Sequence, residues 1–234
     1  MLSCVVMYHS FYDDVVMPDL RPLADKRIIG GIYINRVMGE NRNVIGEDLP
    51  KGVLLRHSPN CGKDIGGKMV LIDSFLRKHG KSDWIIFLHD KKSLHKSTGE
   101  AWKKKLWKII SKEFIEQALI TISNNPDIAM IGPKSCKNQW GRNETDSSDM
   151  IVLVDKLSEK YNINKVEFCY VAGGMFWMKA DIIRTFFSKW NPLAIRATLE
   201  KGNVLDNDRA TVTHAWERLF GRIVESHGGK AIFF

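Results

Sequence analysis

The run from Asp83 to His95, DWIIFLHDKKSLH, closes an uninterrupted apolar stretch with a cluster of ionisable side chains. His89, Asp90, Lys91, Lys92, Ser93 and His95 follow residues 84–88 at once. A carboxylate in that position can hold Mg²⁺ or Mn²⁺, and a divalent ion flanked by lysines suits a diphosphate. A solitary Asp there would more simply begin a solvated loop, and it is the clustering that argues for chemistry. A second group lies upstream in HSPNCGKDIGGKM, residues 57–69, where Gly62, Gly66 and Gly67 bracket Lys63 and Asp64 and precede Lys68. A glycine-rich turn feeding a helix start offers N–H groups and a positive dipole end to an anion. The plainer alternative is a tight turn in which Asp64 caps the helix. The spacing is neither a dinucleotide fingerprint nor a P-loop.

A third group is TLEKGNVLDNDRATVTHAWERLFG, residues 198–221. Asp206, Asn207 and Asp208 suit a helix start, and His214 and Glu217 stand three apart, hence on one helix face. A carboxylate there can serve as a general base, and a histidine can bind metal or phosphate. An exposed helix face with an amino-terminal cap is the alternative. His227, in SHGG near the end, is a further candidate ligand. Asp90, His214 and His227 are the candidate metal ligands.

These residues need an α/β scaffold to position them. Residues 84–88 read as a strand buried on both faces of a parallel sheet, and residues 2–8 as another, running into His9 and Ser10. Further strands are expected at 27–34, 53–56, 128–131 and 230–234, with short ones at 166–170 and 173–178 around Gly173 and Gly174. In an open sheet of this kind ligands sit beyond the carboxyl ends of the strands. Helices are expected from Met69 onward, over 100–111, 113–124, 150–161 and 180–189, and over 209–220 with Gly221 as its cap. The polar run 134–149 reads as a flexible insertion.

With 44% hydrophobic and 26% charged residues, the composition is that of one globular domain. The formal net charge of +8 suits an anionic partner without choosing among ligand, nucleic acid and membrane. No nucleic-acid-binding motif accompanies it, so no nucleic-acid partner is expected. The lysines of residues 103–108 form one helix face, bordered by Trp102 and Trp107, which suits peripheral contact with a membrane surface. Four scattered cysteines, without CxxC spacing, point to a reducing, cytoplasmic setting. The amino terminus reads as a strand and not a signal peptide.

Taken in order, NCGKDIGGK, then LHDKKS with a Trp-containing basic helix, then AGGMFW, then THAWERLFG resembles the rhamnan synthesis protein F family of polysaccharide glycosyltransferases. Related segments occur in some viral and bacterial glycan-building enzymes. The resemblance implies a single GT-A-like domain, with a mostly parallel central sheet flanked by helices on both faces. The nucleotide-sugar half would span about 1–133 and the acceptor half about 134–234, and the whole could be one domain of a longer chain. It also implies a UDP- or dTDP-linked sugar donor, rhamnose among the candidates, a glycan acceptor, and Mn²⁺ or Mg²⁺. On that reading His9, Lys63, Asp64, Lys68, His89, Lys91, Lys92, Gly173 and Gly174 border the donor, and Asp90 holds the metal. Glu217 is the first candidate base, ahead of Asp206 and Asp208. The chain departs from the usual Asp-x-Asp of such folds, having His89-Asp90-Lys91-Lys92. A nucleotidyltransferase acting on a sugar phosphate would use the same parts, and a basic nucleic-acid-binding domain would explain the charge.

Overall fold

The computed structural model describes residues 2–12, 17–38, 52–78, 80–90, 99–142, 146–204 and 210–234. Lys91, Lys92, Asp206 and Asp208 lie outside them. In chain order the elements are β1 (Cys4–Ser10), α1 (Arg21–Asp25), β2 (Ile29–Val37), β3 (Val53–Ser58), α2 (Lys63–Arg77), β4 (Trp84–His89), α3 (Gly99–Trp107), α4 (Lys112–Asn124) and β5 (Ile128–Gly132). There follow β6 (Lys137–Gln139), α5 (Ser148–Lys160), β7 (Cys169–Val171), β8 (Phe176–Lys179), α6 (Ala180–Lys189), α7 (Pro192–Arg196), α8 (Val212–Ser226) and β9 (Lys230–Phe233).

The main sheet runs β3-β2-β1-β4-β8-β5-β9, parallel except for β8, which is antiparallel to both neighbours. Residues 84–88 are at most 1% exposed, as a strand covered on both faces requires. The chain moves outward from β1 to β3 and then crosses back to β4 on the other side of β1. Right-handed crossovers therefore put α1 and α2 on opposite faces. Lys26 after α1 pairs with Glu116 of α4 on one face, while α2, α6 and α8 pack together on the other. The reversal between β1 and β4 is a topological switch point, with its crevice at the strands' carboxyl ends. His9, Ser10, His89 and Asp90 all stand there.

Three expectations need correction. The glycine-rich segment is not a turn, because α2 starts at Lys63 and includes Gly66 and Gly67. A Cβ on Gly66 would lie 1.7 Å from the Cys61 carbonyl oxygen, and one on Gly67 would lie 2.0 Å from His9 Nδ1. Both glycines permit close approach within a helix. The helix opens on Gly62 at φ +72° with no side-chain cap, so Asp64 does not cap it.

Second, the described part of the polar run after β5, residues 134–142 and 146–149, is built into the fold. Its strand β6 pairs with β7, Trp140 stacks on Phe168 with centroids 5.4 Å apart, and Asp146 is buried against Arg218. Third, Gly221 lies inside α8 and does not end it. Its missing side chain lets the helix cross β7, since a Cβ there would lie 2.2 Å from the Cys169 carbonyl oxygen. After α6 ends at Lys189, Pro192 opens the short α7, a position that needs no amide hydrogen.

Among the described residues no helix is long and apolar enough to cross a membrane. On α3, Lys104 and Lys105 are exposed, whereas Trp107 turns inward and donates its indole N–H to the His89 carbonyl at 3.2 Å. Trp102 packs against the core. Both tryptophans are half-buried, and Lys103 Nζ lies over the Trp107 ring, 4.5 Å from its centroid.

Candidate functional site

Strand register places Arg56, Asn35, His9 and His89 side by side across β3, β2, β1 and β4. In-register neighbours of parallel strands share a face, and this row faces α2: Arg56 Nε donates to Ser74 Oγ of that helix, and Gly67 lies against the His9 ring. Asp64 and Lys68, one turn apart on α2, complete a buried polar layer. Lys68 is 1% exposed, with Nζ 2.5 Å from Asp64 Oδ2. His89 Nε2 stands 3.8 Å from that same oxygen.

His89 is tied at both ring nitrogens. Nδ1 lies 2.7 Å from the Asp90 carbonyl oxygen and Nε2 lies 2.7 Å from that of Gly173. Carbonyl oxygens only accept, so each ring nitrogen faces an acceptor, an arrangement that an imidazolium beside the Asp64 carboxylate satisfies. Burial would raise the carboxyl of Asp64, but the Lys68 and His89 charges outweigh it and hold the group well below the usual range. His9 has the opposite fate. Burial pushes its imidazole down to about 3, against a smaller upward pull from Asp64, so it is neutral at physiological pH. Its Nδ1 lies 3.0 Å from Asn35 Nδ2, while His9 Nε2 and Asn35 Oδ1 are buried without a hydrogen-bond partner among the described residues.

The turn between β7 and β8 closes this layer. Gly173 and Gly174 have φ +85° and +65°, the left-handed region that favours glycine. A Cβ on Gly174 would stand 2.9 Å from Asp64 Oδ2 and 3.0 Å from Lys68 Nζ. The backbone at this Gly–Gly pair is therefore approached closely by the Asp64–Lys68 pair. Gly173 is gripped twice, its carbonyl by His89 and its N–H by Glu217 Oε1 at 2.6 Å. One oxygen of the expected base is thus committed to holding the turn.

Asp90 and α8 complete the surroundings. Asp90 Oδ2 accepts the N–H groups of Phe11 and Tyr12 at 2.6 and 2.7 Å, and the Asp90 N–H donates to the His9 carbonyl at 3.1 Å. The carboxylate thereby laces the loop after β1 onto the end of β4. Thr211 caps α8 and meets His214 Nδ1 at 2.6 Å. Glu200 adds a cap from a distance, accepting from the Val212 and Thr213 amides and the Thr213 hydroxyl, while its own carbonyl takes the Gly62 N–H. That one residue joins the starts of α2 and α8. Behind Glu217, Arg218 donates Nε to Asp146 Oδ1 at 3.0 Å and lies over the Tyr170 ring.

His227 does not join the group. It ends α8, thirteen residues and about 20 Å of helix beyond His214. Its Nδ1 meets the Ile223 carbonyl of its own last turn at 2.8 Å. Because β9 follows directly and is parallel to β5, His227 stands at the amino edge of the sheet, opposite Asp90. Sequence reasoning missed Asn35, Glu200 and Asp146. A polar residue closing the buried run of residues 33–35 was a usable signal for the first, whereas the other two act across long sequence separations that no local pattern marks.

The sequence model of the family described as rhamnan synthesis protein F matches residues 2–228. The chain belongs to the rhamnan synthesis protein F family. Neither the curated proteins nor the solved structures offer a match to it. Membership implies a glycosyltransferase-related role in rhamnan and polysaccharide synthesis.

Among the described residues no group of three or more His, Cys, Asp and Glu side chains is placed to hold a metal ion. At the carboxyl ends of β1 and β4 the described donor is one carboxylate, Asp90, oriented by two amides. Mg²⁺ is commonly held by one or two carboxylates together with substrate phosphates, so this donor fits an ion bound mainly by a diphosphate.

Proposed function

We propose that this rhamnan synthesis protein F family member transfers a glycosyl unit from a nucleoside-diphosphate sugar to a hydroxyl of a growing glycan. The observation that carries the reading is the ionic layer of Asp64, Lys68 and His89 at the switch point between β1 and β4. Burying a lysine and an imidazolium costs several kcal/mol that apolar side chains of equal volume would not. Such a layer is a poor device for stability and a good one for fixing charge beside a reacting bond.

In the proposed reaction the bond from the anomeric carbon to the diphosphate oxygen breaks and a bond to the acceptor oxygen forms. The nucleoside diphosphate leaves with the electron pair, and the acceptor hydroxyl gives up its proton. Asp90 with Lys63, Lys91 and Lys92 is proposed to border the diphosphate. A divalent ion bound there would neutralise charge growing on the leaving group. Proton acceptance is assigned to Asp206, Asp208 or Glu217, with one Glu217 oxygen engaged by Gly173.

Incubation with dTDP-rhamnose, UDP-glucose and GDP-mannose in the presence of a rhamnose oligosaccharide tests the reading. One donor is expected to release its nucleoside diphosphate as the oligosaccharide gains one sugar mass. Release of pyrophosphate from a nucleoside triphosphate and a sugar phosphate would instead identify a nucleotidyltransferase.

A further inference from the structure

Asp64 is the one member of the ionic layer that also reaches the surface. Its side chain keeps 23% of its area exposed, whereas Lys68 keeps 1% and His89 6%. Oδ2 is consumed inside, by Lys68 Nζ and the nearby His89 ring. Oδ1 makes no hydrogen bond with the protein among the described residues. The carboxylate is anchored on the buried side by two cations that hold it ionised. Gly174 packs its backbone closely against the inner side of this pair, where a Cβ would stand 2.9 Å from Asp64 Oδ2. An exposed i,i+4 ion pair would give the helix its modest benefit without a fully buried lysine. The burial of Lys68 makes sense if its task is to aim and fix a carboxylate that something outside must meet.

We propose that Asp64 Oδ1 binds the hydroxyl groups of a sugar ring, as the polar anchor of the glycosyl unit and not of the diphosphate. The assignment rests on the glycosyl-transfer reading and refines it. A permanently ionised carboxylate accepts O–H hydrogen bonds strongly and repels phosphate oxygens. Its low proton affinity also makes it a weak general base, so its part is to bind and orient. The diphosphate therefore falls to the Asp90 side of the crevice, and the sugar to the side of Asp64 and Gly174.

The test compares wild type with Asp64→Asn and with the double variant Asp64→Asn/Lys68→Met, which removes both charges of the Asp64–Lys68 ion pair together and leaves His89 between its two carbonyls. The single variant strands the Lys68 ammonium and is expected to melt well below wild type, and the double variant is expected to recover that loss. Methyl α-L-rhamnoside and methyl α-D-glucoside are then titrated into ¹⁵N-labelled wild type and double variant. At least one sugar should shift the Asp64 and Gly174 amide resonances of the wild type, and the double variant should bind it at least tenfold more weakly. Equal titrations of a folded double variant, or no response of those two amides to either sugar, would overturn the assignment. Nucleoside diphosphate binding is measured on the same samples. A protein that takes the nucleotide but ignores the sugars contradicts this assignment alone, and one that takes a sugar at Asp64 but no nucleotide contradicts the transfer reading.

Discussion

Alanine at Gly66 is expected to destabilise the protein by about 3 kcal/mol, although Gly→Ala inside a helix ordinarily stabilises by up to about 1 kcal/mol. The sign reverses because the added methyl carbon would stand 1.7 Å from the carbonyl oxygen of Cys61, and backbone cannot rotate away as a side chain can. The neighbouring backbone has little freedom to give. Gly62 donates to the Glu200 carbonyl, Cys61 pairs with Lys201 across an isolated bridge, and the Cys61 thiol donates to the Arg196 and Leu199 carbonyls. Displacing Cys61 therefore disturbs the segment that carries Glu200, and through it the start of α8. For a chain of this length the loss corresponds to a fall of about 6–12 °C in melting temperature. A melting point equal to or above wild type would show that the first turn of α2 is not packed as described.

Acid is expected to weaken the fold through His9. Its imidazole is pushed from its ordinary 6.5 down to about 3 in the folded chain, chiefly by burial. A depressed folded value means that the unfolded chain binds the proton more readily. The associated stability is therefore complete above about pH 6.5 and drains away as the pH falls toward 3, at up to about 1.4 kcal/mol per pH unit. Between pH 6.5 and 5 the expected loss from this residue is up to about 2 kcal/mol. Asp64, also depressed, adds the same sign only below its own ordinary value of 3.8, outside this window. Urea unfolding of wild type and His9→Gln at both pH values isolates the effect, because glutamine is neutral throughout. The variant should lose less stability than wild type over the interval, whatever its starting value. Parallel losses would mean that His9 takes up its proton in the folded protein.

Much of the scaffold was legible because it is dictated locally. Residues 84–88 and 128–131 can only be two-sided strands, and Val5 and Val6 with Met7 make a third. The carboxyl ends of β1 and β4 were legible for the same reason, since His9, His89 and Asp90 interrupt apolar runs where strands stop. What the sequence hid is what depends on distant partners. Gly66, Gly67 and Gly221 have the composition of turns and caps, yet each lies in a helix whose neighbour comes from elsewhere in the chain. Asp146 reads as part of a polar loop until Arg218 and Tyr170 are placed around it. Glu217 sits on the expected helix face, but only the fold shows that its Oε1 holds the Gly173 amide. Lys68 has the look of an ordinary solvated lysine, and its burial follows from the Gly–Gly turn arriving from residues 173–174.

Isothermal calorimetry with UDP, GDP and dTDP, each with and without Mn²⁺, on wild type and Asp90→Asn tests the donor site most directly. Asparagine keeps an oxygen for the Phe11 and Tyr12 amides and removes the charge. A donor site between β1 and β4 requires that one nucleotide bind to wild type, that Mn²⁺ tighten it, and that Asp90→Asn weaken it at least tenfold. Binding of none of them by the folded wild-type protein, or unchanged binding by Asp90→Asn, would contradict a donor site at the switch point.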